Sequence, residues 1–195
     1  YEIEERDWSS DVCSSDLYAF IELSGKQQPY NLVFLASAEE EVSGKNGIES
    51  VLSLLPHIDV AIVGEPTCMQ PAIAEKGLMV LDVTAHGTSG HAAREEGDNA
   101  IYHAMDDMQW FRTHKWPLVS NFLGPVKMTV TIVNSGTQHN VIPDTCTFTV
   151  DIRSNECYTN HELYEKICTQ VKGEVKARSF RLGSSHIAPD HPLVA

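Results

Sequence analysis

Between Leu78 and Phe180 the spacing of apolar residues changes in a fixed order, and that order limits the available folds more than any other feature. Leu78–Thr84 reads as a strand and is followed by a Gly- and His-rich loop from His86 to Gly97. Asp98 is placed to cap a helix whose apolar positions fall at Ala100, Ala104, Met108 and Phe111, the 3.6-residue period. Lys127–Val133 and Cys146–Ile152 alternate with period two, as strands with one solvated face do. Asn160 is placed to cap a second helix through Leu163, Ile167 and Val171, and Glu174–Phe180 reads as a last strand. The order β-α-β-β-α-β is the split ferredoxin-like pattern. Ser184–Val194 reads as a return connection.

Upstream of Gly77 the texture differs. Tyr18–Leu23 reads as the tail of a helix closed by the Ser24-Gly25 turn signal. Asn31–Ala36 and Asp59–Val63 are continuous apolar runs, the mark of strands buried on both faces of a parallel sheet. Gly47–Leu55 between them has helical spacing, ended by Pro56. Strand, helix, strand makes a βαβ unit whose loops at the strand ends are the natural ligand positions. The expectation is therefore an α/β chain in which part of a parallel-sheet domain is interrupted by a ferredoxin-like one. Arg6–Leu17 shows neither period and contains Ser-Ser-Asp twice. Read back into codons, Val12–Leu17 resembles the end of a common sequencing adapter, so 1–17 is expected to stand outside the fold.

The chain has 195 residues and a formal net charge of -13, a balance that repels phosphate backbones and argues against nucleic-acid binding. Its apolar stretches are too short to cross a bilayer, so no membrane partner is expected. The five cysteines form no CxxC pair, and neither a glycosylation sequon nor a signal peptide is visible. A reducing, cytoplasmic setting is the expectation.

Two features carry chemistry. Glu39-Glu40-Glu41 follows the first buried run directly, and Glu65 stands at the tip of the second. Carboxylates converging at adjacent strand ends repel one another unless a cation compensates them. A carboxylate pair beside a divalent metal suits a water-activating hydrolase, one group binding metal and the other moving protons. A glutamate run is as readily a solvated loop, and composition leaves both readings open.

Four ordered motifs make the reading specific. Ser37 to Gly47 (Ser-Ala-Glu-Glu-Glu-Val-Ser-Gly-Lys-Asn-Gly), Ile62 to Thr67 (Ile-Val-Gly-Glu-Pro-Thr), Gly87 to Arg94 (Gly-Thr-Ser-Gly-His-Ala-Ala-Arg) with Gly97 and Asn99-Ala-Ile101, and Gln138 to Pro143 (Gln-His-Asn-Val-Ile-Pro) with Asp151-Ile-Arg153 follow in that order. From about Tyr18 onward the chain resembles the zinc-dependent aminoacylase, acetylornithine deacetylase and succinyl-diaminopimelate desuccinylase family of metallopeptidases. Its wording is most similar to the acetylornithine or acetylcitrulline deacetylase branch. Ser43 stands where that family often has Gly.

The resemblance implies the following roles. Glu40 is the general base and acid; Glu41 binds one metal and Glu65 the other. His91 is the lid histidine that reaches the partner subunit's site and polarises the scissile carbonyl. Asn140 and Arg153 hold the substrate, Arg through its bidentate fork. Two divalent ions, Zn2+ or alternatively Co2+, serve amide hydrolysis of an N-acyl amino acid, as in arginine biosynthesis, in a homodimer joined through the lid. The implied layout is 18–76 for part of the catalytic domain, 77–183 for the lid and 184–195 for the return. The family's His-x-Asp element, bridging Asp and late His are not in the sequence, so this polypeptide is expected to be an inactive fragment of an active enzyme. A slip of one residue exchanges Glu40 and Glu41, and His91, Asn140 and Arg153 each have an ordinary structural reading. Desuccinylase, aminoacylase and dipeptidase activities stay open, as does a non-catalytic dimerisation module.

Overall fold

The computed structural model of the protein describes residues 6–37, 46–65 and 70–194. Two compact units are present, Tyr1–Pro71 and Ala72–Ala195, and each is taken by itself.

In the first unit a helix, α1, spans Arg6–Ser24. Its end matches the turn signal: the Ser24 hydroxyl donates to the Ile21 carbonyl at 2.9 Å, and Lys26 N–H to the Leu23 carbonyl at 3.0 Å. The absence of helical periodicity in Arg6–Leu17 is thus no bar to a helix. Cys13 to Ala19 are all exposed, so no core-facing stripe is imposed on the sequence.

The expected parallel sheet is not present among the described residues of this unit. Asn31–Ala36 and Asp59–Val63 carry no ladder partners there, and Val33, Leu35, Ile62 and Val63 are exposed. A strand buried on both faces exists only with neighbours on both edges and layers above and below, which an apolar run cannot itself supply. The expected helix over Gly47–Leu55 is instead two 3₁₀ turns, Ile48–Ser50 and Leu52–Leu54. Leu55 precedes Pro56 and takes ψ 146°, the extended conformation that proline's ring imposes on its predecessor, so an α-helix cannot run through it.

The second unit matches the patterning closely. In chain order it contains β1 (Ala74–Glu75), β2 (Gly77–His86), β3 (Gly90–His91), α2 (Ala100–Thr113), β4 (Lys127–Ser135), β5 (Val141–Ile142), β6 (Thr145–Ser154), α3 (Asn160–Cys168), β7 (Glu174–Ala177) and β8 (Ser185–His186). Four of the strands form one antiparallel sheet in the order β4-β6-β2-β7. Each helix crosses over one intervening strand, which is the ferredoxin-like arrangement. The alternation in β2 is literal: Met79, Leu81, Val83 and Ala85 are buried, and the residues between them are not. Opposite them on β6 lie Ile152, Val150, Phe148 and Cys146, also buried. Ala100, Ala104 and Phe111 of α2 and Leu163 and Ile167 of α3 close this core from the same side. Each large side chain so buried contributes roughly 1.5–3 kcal/mol.

Both caps fall one residue from the expected positions. Asn99, not Asp98, caps α2, its side chain accepting from Ile101 N–H at 2.9 Å. Asp98 instead meets the His103 ring at 2.7 Å. Thr159, not Asn160, caps α3, in a capping box with Glu162. Asn160 is buried, bonded to the Ser154 hydroxyl at 2.8 Å and to the Leu182 carbonyl at 2.9 Å. It fastens the first turn of α3 to the returning chain. That return is ordered by β8, which pairs antiparallel with β1 and brings the two ends of the unit side by side.

Candidate functional site

At the His86 end of the sheet, β3 and β5 form a two-stranded antiparallel ribbon, with Gly90 opposite Ile142 and His91 opposite Val141. Three glycines of the Gly-rich motif make this ribbon possible. The loop leaving β2 folds back on itself through a bridge between Thr88 and Asp98, with N–H to carbonyl distances of 2.8 and 2.9 Å. A Cβ on Gly87 would lie 2.2 Å from the Asp98 carbonyl oxygen, and one on Gly90 3.0 Å from the Gly97 Cα. The backbones touch there because side chains are missing. Gly87→Ala is therefore expected to force a main-chain shift costing about 1–3 kcal/mol, read as a lowered thermal midpoint. An unchanged midpoint would show that the loop tolerates the methyl.

The ribbon unites two of the residues singled out from sequence. Ala92 N–H donates to the Asn140 carbonyl at 2.9 Å, so the His91 and Asn140 segments are hydrogen-bonded neighbours. His91 is exposed, and its Nδ1 accepts from the Ala93 N–H at 3.1 Å. A neutral imidazole accepting at Nδ1 carries its proton on Nε2, which leaves an outward N–H donor. No sequence pattern announced this, because the controlling group is a main-chain amide. Asn140 is half-buried.

Arg153 is not part of that constellation within one chain. It lies on β6 opposite Leu78, at the far end of the sheet. Eight residue steps along the strand separate it from Thr145, roughly 27 Å at about 3.4 Å per step. Its guanidinium grips Asp151 bidentately at 2.8 and 3.0 Å. Glu65 is exposed. Glu40 and Glu41 lie outside the described residues. Among the described residues, no group of three or more His, Cys, Asp and Glu side chains is arranged to hold a metal ion. Of the expected metal-site carboxylates only Glu65 lies among the described residues, and by itself it does not amount to a metal centre.

Other ionisable groups settle the sheet and its packing. On the open face, Arg178 grips Asp82 with two bonds of 2.8 Å and holds its carboxyl below the usual range, with help from the Thr149 hydroxyl at 3.0 Å. His114 stacks on Trp110 at 4.5 Å, and burial lowers its pKa. Asp107 is buried on α2 and accepts from the N–H groups of Lys172 and Gly173 at 2.9 and 2.8 Å, fixing the turn that leads into β7. Beside the ribbon opens a cleft of about 370 Å³, lined by Ser89, Gly136, Thr137, Val141, Pro143, Asp144 and Thr145.

A four-stranded ferredoxin-like domain, carrying a glycine-framed histidine ribbon at one end, is the class that this geometry defines. The sequence model of a peptidase dimerisation domain, M20_dimer, matches residues 73–178, more than half of the chain. The chain belongs to the M20 peptidase family through that domain. It is similar to succinyl-diaminopimelate desuccinylase from Roseobacter denitrificans, 29% identical over 182 residues, covering 84% of this chain and 48% of that protein. It is also similar to succinyl-diaminopimelate desuccinylase 2 from a Ruegeria species, 27% identical over 187 residues, covering 90% of this chain and 46% of the other. The chain thus spans about half the length of these curated relatives. Among solved structures it is similar to aminopeptidase PepT from Bacillus cereus, with 14% identity, a TM-score of 0.46, and coverage of 63% of this chain and 34% of that one.

Proposed function

We propose that the chain is part of a metal-dependent hydrolase that cleaves the amide bond of an N-acyl amino acid, with the ferredoxin-like unit acting as a dimerising lid. The observation that carries this reading is the state of His91. The exposed His91 ring, held at Nδ1 by the Ala93 N–H on a glycine-framed ribbon, has Nε2 available to donate to a carbonyl oxygen that gains charge during attack. Asn140 beside it is the natural group to hold the substrate, while Arg153 serves a substrate carboxylate from the other end of the lid.

Two divalent cations belong to the proposal, with Glu41 and Glu65 among their ligands and zinc as the expected metal; bound there, they supply a water acidic enough to ionise near neutral pH. Glu40 would be the group that takes a proton from such a water and returns it to the departing amine. The lid residues orient the acyl amino acid and donate to its oxygen. Support for pairing of two copies comes from β4, an edge strand of the sheet with exposed Ile132 and Val133, and from exposed Tyr102 and Met105 on α2 beside it. A cytoplasmic setting is part of the same reading.

Within the family the wording of the motifs favours removal of an acetyl group from ornithine or citrulline derivatives, while the two similar relatives carry the desuccinylase name. Amine release by the full-length protein from N-acetylornithine, N-acetylcitrulline and N-succinyl-diaminopimelate tests the proposal. Turnover of one of them, lost with a chelator and restored by Zn2+ or Co2+, is the expected result. A zinc-loaded, dimeric protein that hydrolyses none of the three would leave the dimerisation-module reading in its place.

A further inference from the structure

The ribbon that carries His91 is tied on both of its strands to the start of α2. On the β5 side, Ala100 N–H donates to the Pro143 carbonyl at 3.0 Å, one residue past the strand. On the β3 side, Thr88 and Asp98 exchange both main-chain bonds, at 2.8 and 2.9 Å. Between these ties Gly97 packs against the first pair of the ribbon. A Cβ built on it would stand 2.8 Å from Ile142 Cδ1 and 3.3 Å from Gly90 Cα, and Gly90 and Ile142 are the residues paired there. Gly90 immediately precedes His91, so a movement of Gly97 and Asp98 is passed on to the histidine.

One side chain fastens that strut to the core. His103, half-buried and one turn into α2, places Nε2 2.7 Å from an Asp98 carboxylate oxygen. An ionised carboxylate only accepts, so the ring nitrogen donates. Ala100 and Ala104, on the same helix, are fully buried in the core, so the ring stands on a part of the molecule that does not yield. Arg94, by contrast, is held within its own loop by Glu96 at 3.4 Å. The His103 and Asp98 side chains are 37% and 60% exposed, and a pair so open to water adds little to global stability. What it does supply is a fixed direction, because a hydrogen bond to a charged partner is short and geometrically selective.

We infer that His103 is a positioning residue for the proposed hydrolysis: through Asp98 it holds in place the loop that carries His91. This rests on the amidohydrolase reading and deepens it by adding a residue that acts only through another side chain. A donor to developing charge works only when its placement is kept within about 0.5 Å. A misplacement of about 1 Å, caused from outside the reacting groups, costs on the order of 100-fold in rate. Loosening one of several ties to the ribbon should cost part of that.

Full-length His103→Ala is expected to lose about 10-fold in kcat while KM stays within about threefold. His103→Gln, whose amide nitrogen can stand in for Nε2, should keep most of the native rate. The same change is then made in His91→Ala protein, where His103→Ala should add less than about twofold, because the group that it positions is gone. A further loss of about 10-fold there, or no rescue by glutamine, overturns the inference and leaves the hydrolase reading intact. Amide hydrogen exchange gives a readout besides activity. His103→Ala should speed exchange at Thr88, Ala92 and Asp98, the amides that close the loop and the ribbon, by about 10-fold, and leave Leu81 and Val83 of β2 unchanged. Native-like exchange at those three amides overturns the inference. If the native, metal-loaded protein hydrolyses no N-acyl amino acid, the hydrolase reading fails, and the exchange result still decides whether His103 holds the ribbon.

Discussion

Full-length protein carrying Glu40→Gln is expected to keep its metal and lose about 10²- to 10⁴-fold in kcat, the range that a positioned general acid–base contributes. Glutamine preserves the size and the hydrogen-bonding oxygen of glutamate but cannot accept a proton and return it. If Glu40 is the proton carrier, metal content by elemental analysis and KM should stay near native while kcat collapses. Glu41→Gln should behave oppositely, losing metal together with activity. This contrast decides between neighbours that one residue of slip would exchange. A Glu40→Gln protein that turns over normally would remove Glu40 from the reaction, and one that loses its metal would make Glu40 a ligand.

His91→Ala should lower kcat by about 10²- to 10³-fold with a smaller change in KM, because a donor that acts on developing charge is felt mostly in the transition state. The same substitution offers a test of geometry. If His91 serves the site of the partner subunit, equal mixing of inactive Glu40→Gln and His91→Ala proteins with subunit exchange places one intact site in each mixed dimer. Activity should then recover to about a quarter of native, from half the dimers with one working site in two. No recovery, with mixed dimers present, would mean that His91 acts within its own chain. The Ala93 amide orients the ring through Nδ1, so Ala93→Pro, which removes that N–H, should lower kcat without touching the imidazole.

The distance between Arg153 and the His91 ribbon gives these experiments their meaning. Within one lid the two groups stand at opposite ends of a sheet ten residues long at β6. A single substrate held by both draws them from different chains or from a different arrangement of the lid. The mixing experiment distinguishes these cases without a bound complex.

What the sequence determined was the second unit: its element order, the buried face of β2 and β6, and the helices that cover it. Periods of 2 and 3.6 report which side chains leave water, and burial is the main term in stability, so the pattern and the core are the same information. The four motifs likewise placed Glu40, Glu41, Glu65, His91, Asn140 and Arg153 in the chain. Local competition explains the small displacements: Asn99 outcompetes Asp98 as a cap because Asp98 is drawn to His103, and Thr159 outcompetes Asn160 because Asn160 is needed inside.

Tertiary structure alone decided the rest. The apolar runs at Asn31–Ala36 and Asp59–Val63 do not become strands by composition, because a ladder needs partners that no single run encodes. β3 and β5 are too short to show any period, and exist because three glycines let the backbones of their flanking loop close on each other. The orientation of the His91 ring is set by a main-chain N–H, that of Ala93. Side-chain identity is written in the sequence; which backbone amide a ring meets is written only in the packing.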